Sequence, residues 1–253
     1  MPSPAVSSFS GRDGVRLAYR EVGAGRPLVL LHGITGDATL WLRDGQAEAI
    51  AARGHRVIMP DFRGHGASDK PQDASAYPAD VLTDDGFALL DHLGLEAYDL
   101  GGYSLGARIV VRMLVRGAVP GRALVLGQGL REVSGVGGGA GSFLRRVFAG
   151  ADTFEPGSVE ERAARRLRSN GEDPVALLHV LDSVVATPVE SLGRVQVPTL
   201  VAVGSDDERA GTVDQLVAAL PSGTRAALPG DHRTAPATPE FVTAIAEFLA
   251  AGR

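Results

Sequence analysis

Five consecutive residues, Gly102-Tyr103-Ser104-Leu105-Gly106, set a hydroxyl between two glycines, after the apolar run Tyr98-Asp99-Leu100 and before a helical pattern over 105–117. A strand that turns at once into a helix holds its central residue in a strained conformation. Side chains two positions to either side would collide there, so Gly102 and Gly106 leave the Ser104 hydroxyl exposed at the tip. The Leu105 amide would open the helix, where negative charge developing on an attacked carbonyl could be held. A serine hydroxyl is a weak nucleophile until a base takes its proton, and the base needs an acid to orient it.

Six histidines compete for the role of base. His232, in Gly230-Asp231-His232, follows the weak strand pattern Thr224–Leu228 and precedes the last helical pattern, which puts it on the sheet edge that carries Ser104. His55 precedes a strand, His92 falls in a helix and His179 in an insertion; His65 is the remaining rival, and His32 suits bracing its own loop. The acid is expected between the serine and the histidine in chain order. Gly204-Ser205-Asp206-Asp207 ends the run Thr199–Val203 and offers two aspartates, of which Asp207 is favoured and Asp206 is assigned to the turn. A second amide donor is expected from His32-Gly33-Ile34-Thr35-Gly36, after the run Leu28–Leu31, with Ile34 as the donor.

The elements that must hold these groups alternate along the chain. Asp13-Gly14 predicts a hairpin turn before the alternating stretch Val15–Tyr19. Continuous apolar runs at 28–31, 56–59, 98–100, 123–126 and 199–203, with a weaker one at 224–228, read as strands covered on both faces. Helical patterns near 44–53, 79–93, 105–117, 211–220 and 238–250 fall between them, the arrangement of a mostly parallel α/β sheet. From about 127 to 191 no buried strand occurs. Gly135–Gly141 is too rich in glycine for a regular element, and its Gly-x-Gly lacks the flanking strand of a dinucleotide fingerprint. Two helices are expected next, one from a Ser158/Glu161 capping box and one from Asp173-Pro174. The stripe Leu177, Leu178, Leu181, Val184 and Val185 on the second is expected to pack on the sheet domain.

These motifs together resemble the α/β-hydrolase superfamily almost end to end. The turn His32-Gly33-Ile34, the loop Asp61-Phe62-Arg63-Gly64-His65-Gly66-Ala67-Ser68 with Asp69, the elbow 102–106, Gly204 to Asp207, Gly230-Asp231-His232 and Pro239-Glu240-Phe241 each match a family segment. The resemblance implies Asp207 as the acid, a structural role for His65 and Asp69, and a helical lid inserted at 128–190 between core segments 1–127 and 191–253. It also implies Ser104, Asp207 and His232 as a catalytic triad, with an oxyanion hole from the Ile34 and Leu105 amides. Epoxide hydrolases and haloalkane dehalogenases of this superfamily use an aspartate where Ser104 stands. Dehalogenases carry Trp where Leu105 stands, and the lid segment has none of the tyrosines that open epoxides.

Composition bounds the partners. With 253 residues, 25 Lys+Arg against 30 Asp+Glu and a net charge of −5, the chain has no electrostatic footprint for nucleic acid. The absence of cysteine excludes thiolate chemistry and disulfides, and no His-x-His or His-Glu-x-x-His pattern offers a zinc site. No run nears the roughly 20 apolar residues of a membrane span, and Met1-Pro2-Ser3-Pro4 begins no charged leader with an apolar block. The expectation is a cytoplasmic, cofactor-free hydrolase of a small-molecule ester, lactone or activated acyl compound, monomeric or homodimeric. Carbon–carbon hydrolysis and a peroxide-using reaction would employ the same side chains, and a non-catalytic binder or cyclisation scaffold is the alternative of another class. Phe143, Leu144, Val147, Phe148 and Phe154 would line an apolar pocket; Arg145, Arg146, Arg165 and Arg166 read first as a solvated helix face, with receipt of an anionic group as the alternative. Trp41 reads as core.

Overall fold

The computed structural model describes residues 4–135, 139–150 and 153–251. Eight strands, β1 (Val6–Ser10), β2 (Arg16–Gly23), β3 (Arg26–Leu31), β4 (His55–Asp61), β5 (Asp99–Tyr103), β6 (Ala123–Leu126), β7 (Thr199–Gly204) and β8 (Gly223–Leu228), form one sheet in the order β1-β2-β4-β3-β5-β6-β7-β8. Strand β2 runs antiparallel to β1 and β4, and every other pairing is parallel. The β3–β7 runs are apolar on both faces because the sheet is covered on both. Leu28, Leu30, Leu124 and Leu126 pack under α1 (Gln46–Ala51) and the C-terminal helix Pro239–Ala250 with Trp41, Phe241 and Ile245. Val29, Leu31 and Val125 face α2 (Val81–His92) and α3 (Leu105–Val115) on the other side.

Between β6 and β7 the chain passes through α4 (Leu130–Val133), α5 (Gly139–Ala149), α6 (Val159–Ser169), α7 (Pro174–Ser183) and α8 (Val189–Leu192). The glycine-rich stretch thus departs from the expectation: 136–138 lie outside the described residues, but Gly139 begins α5. The ten residues that follow Gly139, with apolar Phe143, Leu144, Val147 and Phe148 at helical spacing, outweigh the poor propensity of its first turn. The caps of α6 and α7 form as read, with Ser158 Oγ accepting from the Glu161 amide at 3.1 Å and Asp173 accepting from Val175 and Ala176. The reciprocal half of the first box is diverted, because the Glu161 carboxylate takes Arg165 at 2.7 Å.

Helix α7 is apolar on two faces, so only part of the expected stripe packs on the sheet domain: Val184, at its end, joins the main core. Ala176 and Val180 face the main core, whereas Leu177, Leu178 and Leu181 join Val147, Phe148, Ala164 and Leu167 in a second cluster among α5, α6 and α7. Ile34 packs against both clusters, so the loop after β3 is the seam between them. Helix α9 (Val213–Ala219) and α10 (Pro239–Ala250) follow β7 and β8. Among the described residues no helix is long and apolar enough to cross a membrane.

Candidate active site

Ser104 sits between β5 and α3 with φ 56° and ψ −114°, one of two non-glycine residues at positive φ among those described. Backbone strain of this kind costs about 1–3 kcal/mol and persists only where its surroundings enforce it. The enforcing contacts are backbone to backbone. A Cβ on Gly102 would lie 2.3 Å from the Gly106 carbonyl carbon, and one on Gly106 would lie 2.3 Å from the Leu31 oxygen. The Gly106 amide also donates to the His32 carbonyl at 3.0 Å, tying the elbow to the loop after β3. The amides of Ile34 and Leu105 take no hydrogen-bond partner among the described residues. Gly33 brings that loop against the serine, since a Cβ there would lie 3.5 Å from Ser104 Cβ.

His232 reaches both of its expected neighbours. Its Nε2 lies 2.9 Å from Ser104 Oγ and its Nδ1 lies 2.7 Å from Asp207 Oδ2. The loops that carry the acid and the base are stitched together: Ser205 N donates to the Leu228 carbonyl at 2.7 Å and Asp206 N to the Gly230 carbonyl at 3.1 Å. Gly204 permits this approach, because a Cβ there would stand 2.1 Å from the Gly230 oxygen. Asp231 shapes the turn before the helix by accepting from the Arg233 and Thr234 amides at 2.8 and 2.9 Å.

Burial and contacts separate the two aspartates. Asp206 is exposed and accepts only from Ser205 Oγ, at 3.3 Å, whereas the Asp207 side chain is 1% exposed. Burial pushes the Asp207 carboxyl up, but bonds from His232, from the Arg209 amide and from the Arg209 guanidinium outweigh it and hold the group below the usual range. An ionised Asp207 on Nδ1 fixes a proton there and leaves Nε2 free to accept from Ser104.

The remaining histidines fall where the sequence puts them. Buried His32 accepts the Phe62 amide on Nε2 at 3.0 Å and so donates from Nδ1 to the Gly33 carbonyl at 2.7 Å. His65 has a ring nitrogen 3.0 Å from the Arg63 carbonyl and the other 2.9 Å from the Ile34 carbonyl; burial lowers its pKa to about 3, and the neutral ring donates to one of the two. The 61–69 loop is a brace. Asp61 accepts from the Ala38 and Ala67 amides, and buried Arg63 is forked between Asp85 and Asp13. Trp41 is buried against Phe241.

Two contributors escape the sequence reading. Tyr103, the variable residue before the serine, donates its hydroxyl to the His232 carbonyl at 2.6 Å, and its ring lies 5.1 Å from the imidazole. Arg209 donates to Asp207 Oδ1 from its guanidinium at 2.9 Å and its amide at 3.1 Å. Only an acid loop that curls back within two residues would have signalled the second, and nothing in residue order reveals that.

A cavity of about 560 Å³ is lined by Thr35, Phe143, Leu144, Val147, Phe148, Val159, Arg162, Ala163, Arg166, Leu167, Glu172 and Arg233, of which Thr35 and Arg233 are the chain neighbours of Ile34 and His232. Four of the five expected apolar residues line it, while Phe154 packs into the cluster behind. Three of the four arginines singled out on α5 and α6 are tied off: Arg145 pairs with Asp182, Arg146 with Glu160 at 3.5 Å and Arg165 with Glu161. Arg166 is the fourth and lines the cavity.

Residues 26–126 match the model of the alpha/beta hydrolase fold family. Over 130 residues the chain is 36% identical to 2-hydroxymuconate semialdehyde hydrolase of Pseudomonas sp. strain CF600, covering 50% of this chain and 46% of that one. It is 40% identical over 95 residues to an epoxide hydrolase of Caballeronia sordidicola, covering 38% of this chain and 28% of that one. The chain thus spans less than half the length of these curated relatives. Among solved structures, a hydrolase from Pseudomonas aeruginosa superposes with a TM-score of 0.78 at 26% identity, covering 97% of this chain and 98% of that one. Sheet order, elbow and matches agree, and the chain has the α/β-hydrolase fold.

Proposed function

We propose that this protein is a cofactor-independent serine hydrolase that cleaves an ester, a lactone or a related activated acyl bond. The observation that carries the reading is the continuous relay from Ser104 Oγ through the His232 ring to Asp207, at 2.9 and 2.7 Å. In this reading Ser104 Oγ attacks the carbonyl carbon while His232 Nε2 takes its proton. The negative charge on the former carbonyl oxygen is held by the Ile34 and Leu105 amides; one such donor contributes roughly 3–4 kcal/mol. The tetrahedral adduct collapses as the carbon–oxygen bond to the leaving alkoxide breaks and His232 returns the proton to it. Water then repeats the sequence on the acyl-serine, which releases the acid and restores the hydroxyl. Helices α5–α7 act as the lid over the acyl group.

Relatives bearing hydrolase names support the hydrolytic class, and a serine at the elbow disfavours epoxide opening, in which an aspartate attacks. The similarity to 2-hydroxymuconate semialdehyde hydrolase favours a second reading, cleavage of an activated carbon–carbon bond by the same three side chains. Rates of Ser104→Ala on short p-nitrophenyl esters and lactones test the principal reading. A fall of about 10⁴-fold or more is expected. A variant that hydrolyses them near the wild-type rate overturns it, and wild-type turnover of a vinylogous diketone but of no ester favours the second reading.

A further inference from the structure

The cavity that Thr35 and Arg233 border has a charge pattern that an apolar acyl chain alone does not explain. Its wall is apolar where Phe143, Leu144, Val147, Phe148 and Leu167 meet, yet Arg162, Arg166 and Arg233 also reach it. Arg162 donates to the Gly157 carbonyl. Arg166 and Arg233 make no ion pair within 4 Å among the described residues, unlike the neighbouring lid arginines. The one carboxyl in the lining is Glu172, whose pKa burial raises against the opposing hydrogen bond from Asn170 and the weaker pull of Arg166. Two guanidiniums without a salt-bridge partner therefore border a cavity whose wall is largely apolar, and Thr35 and Arg233 are the chain neighbours of Ile34 and His232.

We infer that the acyl substrate is anionic: a medium-length or cyclic acyl group bearing a second carboxylate, which Arg166 and Arg233 receive while the carbon skeleton fills the apolar basin. This inference rests on the hydrolytic reading and names its substrate class. About 560 Å³ accommodates a small organic acid. Guanidinium forks match carboxylates in geometry and charge, and because Arg166 and Arg233 are both exposed their attraction for an anion is screened by solvent and salt. It weakens as salt rises.

The test compares two probes of equal skeleton, mono-p-nitrophenyl adipate with a free carboxylate and its neutral methyl ester, at pH 7. The expected result is a kcat/KM about tenfold or more higher for the anionic probe, a ratio that shrinks with added salt and collapses towards one in Arg166→Gln/Arg233→Gln. Arg165→Gln, whose partner is Glu161, keeps the wild-type ratio. A wild-type ratio of one or below, or a double variant that keeps the preference, overturns the anionic class while leaving ester hydrolysis standing. Calorimetric binding of adipamic acid, the monoamide, which carries the carboxylate but no ester bond, reads the pocket without ester turnover. A Kd weakened about tenfold in the double variant supports the inference even if neither ester is cleaved, an outcome that would instead remove the hydrolytic reading. No binding to the wild type overturns it.

Discussion

Asp207 offers its two carboxylate oxygens to different partners, Oδ2 to His232 and Oδ1 to Arg209. The arrangement fixes the carboxylate plane, so the imidazole has one orientation in which Nδ1 meets the acid and Nε2 meets Ser104. Asp207→Asn keeps the shape but can present a donor to Nδ1, which favours the wrong tautomer. It should lower kcat on the order of 10⁴-fold, while exposed Asp206→Asn changes it less than about threefold. Steady-state rates for both variants on one ester check this, and equal losses would reassign the acid. Ser104, His232 and Asp207 were legible because each follows a strand in the chain, and strand ends of a parallel sheet share an edge. Arg209 and Tyr103 were not, because their parts depend on a loop curling back and on a side chain crossing to another loop.

The elbow works because β5, α3 and β3 approach at distances no side chain permits. Gly102→Ala would place a methyl 2.3 Å from the Gly106 carbonyl carbon, where backbone on both sides leaves nothing soft to yield. Destabilisation of roughly 3 kcal/mol or more is expected from urea denaturation midpoints, and a change below about 0.5 kcal/mol would mean the turn is looser than described. The strands were readable for a related reason: burial on both faces leaves continuous apolar runs that no surface element imitates. Helix α5 was not readable at its start, since glycine at Gly139 and Gly141 argues for a loop and only packing against α6 and α7 decides otherwise. Likewise α4 and α8 span four residues each, too few to show a period.

Across the molecule, two neutral histidines lie under the active-site loop, and their burial ties stability to pH. His65 has a pKa of about 3 when folded, against about 6.5 in an unfolded chain. Below pH 6.5 the unfolded chain therefore binds a proton the folded protein refuses, so stability falls as the pH drops from 6.5 towards 3. From pH 7 to pH 5 His65 alone should remove about 2 kcal/mol. His32, also lowered by burial, acts in the same direction. Asp207 works lower: its depressed pKa favours folding above the ordinary carboxylate value of about 3.9 and loses that effect only as the pH falls below it. Urea denaturation at pH 7, 6 and 5 separates the windows. A flat profile over that range would mean that His65 protonates in place, between the two carbonyls.

The central claim, that Ser104 is a nucleophile activated by His232, is tested most directly by a fluorophosphonate reagent with the modified peptide mapped by mass spectrometry. The wild type should carry one adduct, on Ser104, and His232→Ala should form it at least about 10³-fold more slowly while remaining folded. A folded wild-type protein that stays unmodified, or that is modified on a different residue, would contradict the account.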